Sequence, residues 1–80
     1  MPHLKAKFGR RLRELRDAEG WSREEFSGKV GLSVRRIATI ELGTGWPRAE
    51  TVEAIAKVFN IEVRELFDFS ALRFLPQRSL

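Results

Sequence analysis

Residues 22–43 read SREEFSGKVGLSVRRIATIELG, and the rest of the chain is organised around them. Ser22 stands three residues before Glu25, the spacing at which a hydroxyl caps the first helical N–H groups and the carboxylate returns to the cap. Trp21 ahead of the cap and Phe26 behind it form a hydrophobic staple, so a helix is predicted from Arg23 to Val30. Gly31 then supplies a left-handed turn residue. The device repeats at once: Ser33 caps a second short helix and Leu32 staples onto Ile37. Gly43 ends that helix. Ile37 and Ile40 are its buried edge, which leaves Val34, Arg35, Arg36, Ala38 and Thr39 on the free face. A short helix that presents small residues and arginines outward suits a groove. Ser27 and Gly28, both small, are expected where another helix crosses closely.

Working outward, Leu4, Phe8, Leu12 and Leu15 recur at steps of four, four and three and place one apolar stripe on a first helix. That helix should run to Glu19 and stop at Gly20. Lys7, Arg10, Arg11 and Arg13 lie away from the stripe and form a solvated face from which a phosphate is within reach. On the other side, Gly43-Thr44-Gly45-Trp46-Pro47 is a loop by composition, with Trp46 folded over the core. Ala49, Val52, Ile55, Ala56 and Phe59 define a fourth helix, with Asn60 as its left-handed cap. Val63, Leu66 and Phe67 mark a short fifth. The expected organisation is one all-α domain over residues 1–68 and an apolar tail over 69–80. Phe67, Phe69, Leu72, Phe74 and Leu75 are assigned to contact with a second copy of the chain, the alternative being that they cover its own core.

The 80 residues suffice for one small domain with a marginal core, and with no cysteine neither a disulfide nor a thiolate metal site is available to supplement it. No apolar run approaches the roughly 20 residues that a membrane-spanning helix requires. A soluble, cytoplasmic protein is expected. The net charge of +4 is unevenly spread: residues 1–48 hold eleven Lys/Arg against six Asp/Glu, and residues 49–80 hold four against five. A basic opening stretch favours a polyanionic partner. Enzymatic chemistry finds no support. His3 is the single histidine, the carboxylates lie on helix faces, and Gly43-Thr44-Gly45 lacks the residues of a phosphate-cradling loop. No cofactor, metal or small-molecule site is expected.

Taken together and in order, several pieces resemble the Cro/cI-like, or xenobiotic-response-element, family of helix-turn-helix regulators. They are FGRRLRELR at 8–16, Trp21 to Phe26, Gly31-Leu32-Ser33, Ile37, Ile40-Glu41, Gly43, Pro47 and the last two helical stripes. The resemblance runs from about Phe8 to Phe67 and implies a compact five-helix bundle whose helices 2 and 3 form the helix-turn-helix, with the second of them, about residues 34–42, in the major groove. It places Val34, Arg35 and Thr39 at base edges with Arg36 and Ala38 beside them. It places Arg23, Ser33, Thr44 and Arg48 at the DNA backbone, and it implies an ion pair between Arg16 and Glu41. The chain departs from the family at Ser27 and Gly28, which lower helix propensity, at Arg48 and Glu62, which stand where Ser or Thr caps are common, and at Val34, an apolar residue suited to a thymine methyl.

The resemblance implies a regulator, a repressor in the first place, that binds a roughly palindromic double-stranded DNA operator as a homodimer. The competing expectation is a protein-interaction module of antitoxin type, whose C-terminal segment covers a partner protein while DNA binding serves autoregulation.

Overall fold

The computed structural model describes residues 3–70, and all regular secondary structure among them is helical: α1 His3–Glu19, α2 Arg23–Val30, α3 Val34–Glu41, α4 Ala49–Phe59 and α5 Val63–Leu66. The local signals account for the boundaries. Ser22 Oγ accepts the Glu25 N–H at 3.0 Å and Glu25 Oε1 accepts the Ser22 N–H at 2.8 Å, a complete capping box. The Trp21 and Phe26 rings of the staple stack at 6.3 Å. Gly20 and Gly31 take φ of 77° and 80°, and Asn60 fills the same role for α4 at φ 58°. Arg48 and Glu62, by contrast, begin α4 and α5 without any side-chain cap.

Phe8, Leu12, Phe26, Ile37, Ile40, Ile55, Ala56, Phe59 and Leu66 are buried and form a single core. Aromatic contacts tie its two ends. Trp21, Phe26 and Phe59 cluster where α2 meets α4, with centroids of 5.4 Å between Trp21 and Phe59 and 5.2 Å between Phe26 and Phe59. At the other end Phe8 lies 5.2 Å from Trp46 and 5.1 Å from Phe67. Trp46 thus lies against Phe8 at the edge of the core but stays 38% exposed, less covered than the sequence predicts, and Phe69 rests edge-on against Phe67 at 6.3 Å.

Two expectations change. Leu4 heads the stripe of α1 in sequence, yet it stays 49% exposed, because the core begins one turn later at Phe8. Gly28 makes no close helix crossing: a Cβ built there meets nothing within 4 Å. The close approach falls instead at Gly9, where a Cβ would sit 2.3 Å from the Ile40 carbonyl oxygen and 2.6 Å from that of Glu41. Ser27 spans the turn, its hydroxyl donating to the Leu32 carbonyl at 2.5 Å. Leu72, Phe74 and Leu75 lie outside the described residues.

Candidate nucleic-acid interface

α3 is held from below and at both ends. Ile37 and Ile40 are fully buried beneath it, and Gly9 lets the backbone of α1 run directly under its last turn. Ser33 Oγ accepts the Arg36 N–H at 3.0 Å and caps the start. At the end Gly43, with φ 81°, donates its N–H to Ile40 and Thr44 donates to Thr39, the paired bonds of a Schellman motif at 3.0 and 3.1 Å.

Charge secures the same helix. The Glu41 side chain is only 1% exposed, and three N–H groups reach its two oxygens. Arg16 Nε donates to Oε2 at 2.6 Å and Arg16 Nη2 to Oε1 at 3.0 Å, while Arg23 Nε donates to Oε1 at 3.0 Å. Arg16 Nη1 also donates to the Trp21 carbonyl at 2.7 Å, so one guanidinium joins α1, the turn before α2, and α3. The hydrogen bond to Glu41 holds the Arg16 guanidinium above its usual value against the opposing effect of burial, and it stays charged.

The outward face sorts its residues. Arg35 is exposed, and among the described residues its side chain has no hydrogen bond or ion pair. Val34 and Ala38 are half-buried on the same helix. Thr39 Oγ1 donates to the Arg35 carbonyl at 2.9 Å, and Arg36 Nη2 donates to the Trp46 carbonyl at 2.7 Å. Ser33 is exposed, with its oxygen engaged as a cap. Thr44 Oγ1 donates to the Thr39 carbonyl at 3.3 Å, and Arg48 is exposed at the start of α4. Arg23 is half-buried, fixed through Nε, with both Nη groups unengaged among the described residues.

Three engagements escape the sequence. Arg11, there one of several solvated cations, donates through Nε to the Glu65 carbonyl at 2.9 Å and pins α5 to α1 across 54 residues. The bond from Arg36 to Trp46 and that from Arg23 to Glu41 likewise join positions with no shared local signal. Among the described residues no group of three or more His, Cys, Asp or Glu is placed to hold a metal ion, and no helix is long and apolar enough to cross a membrane.

Two helices joined through a left-handed glycine, the second braced from beneath and presenting an arginine-bearing face, define a helix-turn-helix protein. The helix-turn-helix family model matches residues 12–66, and the chain belongs to that family in its Cro/cI-like form, a class of DNA-binding transcriptional regulators. It is 37% identical over 59 residues to YazB, an uncharacterised HTH-type transcriptional regulator of Bacillus subtilis (strain 168), covering 74% of this chain and 86% of YazB. It is 32% identical over 59 residues to RstR, the transcriptional repressor of the cryptic phage CTXphi from Vibrio cholerae, covering 74% of this chain and 53% of RstR. The crystal structure of the restriction-modification controller protein C.AhdI from Aeromonas hydrophila matches with a TM-score of 0.74 at 39% identity, over 78% of this chain and 94% of that one.

Proposed function

We propose that this regulator is a repressor that binds a roughly palindromic operator as a homodimer, with α3 in the major groove of each half-site. The observation that supports it is Arg35, an unengaged guanidinium on the outer face of a helix braced by Ile37, Ile40 and Glu41. Its planar fork matches both acceptors of a guanine edge, Val34 suits a thymine methyl, and Ala38 and Thr39 fill the face beside them. Arg23, Ser33, Thr44 and Arg48 take phosphates on either side. Residues 1–68 form the reading unit and 69–80 the pairing segment, with Phe67, Phe69, Leu72, Phe74 and Leu75 at the contact between copies. The similarity to RstR favours repression.

Selection of bound sequences from a random duplex pool, repeated at several salt concentrations, tests this reading. An enriched two-part motif is expected, and a pool that stays random overturns it. Arg35→Ala is expected to cost about 1–3 kcal/mol at the selected site and to relax preference at one base position. Equal weakening on every sequence would make Arg35 a phosphate contact. The 39% identity to C.AhdI favours a second, narrower reading, control of a restriction-modification gene set, for which the selected motif should lie ahead of such genes.

A further inference from the structure

We infer that Arg36, although it lies on the recognition face beside Arg35, is a positioning residue that fastens the 43–47 loop to α3 and so sets where Thr44 and Arg48 meet the DNA backbone. The inference rests on the reading of α3 as the recognition helix. Three attachments define the loop. At its start the N–H and the hydroxyl of Thr44 both reach the Thr39 carbonyl, at 3.1 and 3.3 Å. At its end the Trp46 ring lies against Phe8 and Phe67, at 5.2 and 6.4 Å, and Pro47 is buried. Between them Arg36 Nη2 donates to the Trp46 carbonyl at 2.7 Å.

Gly45 shows how closely the loop lies on the helix. A Cβ there would stand 2.6 Å from Thr39 Cγ2 and 2.8 Å from Arg36 Nη1, so only glycine lets the backbone pass between these side chains undisturbed. Arg36 Nη2 is thus held by the loop through a hydrogen bond, and Nη1 lies where a side chain on residue 45 would begin. A bidentate guanine contact uses a paired edge of the guanidinium, and the bond from Nη2 to Trp46 takes up one of the two edges that Arg36 has and ties the group to the loop. Two adjacent arginines of like chemistry therefore do different work: Arg35 reads, and Arg36 fixes the distance between the reading helix and the backbone contacts. A loop already fastened spares binding the entropy of ordering it.

The test uses the full chain with 5-fluorotryptophan at its two tryptophans, the Trp46 resonance being assigned with Trp21→Phe. Arg36→Ala and Gly45→Ala should both move the Trp46 fluorine signal without DNA. Both should lower affinity by a similar factor on all duplexes, leave the ranking of preferred bases unchanged, and combine less than additively. The loss should be roughly threefold to tenfold, the range of one hydrogen bond, since binding can lose no more than the attachment contributes. Arg35→Ala should leave the Trp46 signal in place. Arg36→Lys, which keeps the charge but ends one atom short of Nη2, should behave as Arg36→Ala does. The inference is overturned if Arg36→Ala leaves the Trp46 signal unmoved, or alters preference at a base position that Gly45→Ala does not. Absence of any DNA binding would sink the functional reading alone, because the fluorine signal of the free protein still decides the attachment.

Discussion

At the scale of single residues, Glu41 decides how α3 is anchored. A carboxylate out of water is tolerable only when its oxygens are fully met, and here two guanidinium groups meet them. The two arginines are unequal partners. Arg16 is buried and bidentate, so Arg16→Met leaves a buried charge with a single donor and is expected to cost about 3–5 kcal/mol in urea unfolding. Arg23 is half-buried and gives one bond, so Arg23→Ala should cost about 1 kcal/mol or less. The opposite ranking would show that Arg23, not Arg16, carries the anchor. The unengaged Nη groups of Arg23 predict a separate effect on DNA: uniform weakening across sequences and a salt slope lower by about one. A raised guanidinium pKa contributes stability that is complete below its ordinary value and is lost only above it. Titration of Arg16 therefore leaves stability unchanged across the neutral range.

At the scale of elements, the glycines of α1 and α2 make opposite predictions. Gly28 lies inside α2 with open space around its Cα, so Gly28→Ala should stabilise the fold by about 0.5–1 kcal/mol, read as a higher unfolding midpoint. Gly9→Ala drives a methyl into the backbone of α3 and should destabilise by about 1–3 kcal/mol or more, with α3 displaced from α1. Equal effects would mean that the helices are not packed as described. The contrast also marks what the sequence could show. The starts of α2 and α3 were legible in Ser22, Glu25 and Ser33, because a cap and its partners sit within one turn. The core was legible in the periods that carry Phe8, Leu12, Ile37, Ile40, Ile55 and Phe59. That the crossing point is Gly9 and not Gly28 was not, because both are glycines within helical sequence and only the relative placement of two helices separates them. Arg36 and Arg11 were opaque for the same reason: each bonds to a backbone carbonyl, and a carbonyl leaves no mark in the sequence at either end of the bond.

At the scale of the whole molecule, α3 is eight residues long, and under the proposed reading it offers a few side chains to the groove, a small face for one copy alone. Joining two copies makes the second half-site contact intramolecular, which raises affinity without any new kind of contact. The geometry of the duplex then imposes a rule, since two copies of α3 related by a two-fold axis meet the same face of DNA when their half-sites lie about 34 Å, or roughly 10 base pairs, or a multiple of that, apart. Inserting about 5 base pairs between the halves of the selected site turns one of them to the far side of the duplex. Affinity should then fall to that of an isolated half-site, while Arg35→Ala lowers both values by the same factor per half-site engaged. Titration of the wild-type chain against the original, the expanded and the single half-site duplexes reads this directly. If the expanded site binds as tightly as the original, the copies bind independently, and the apolar residues from Phe67 onward serve some contact other than pairing on DNA.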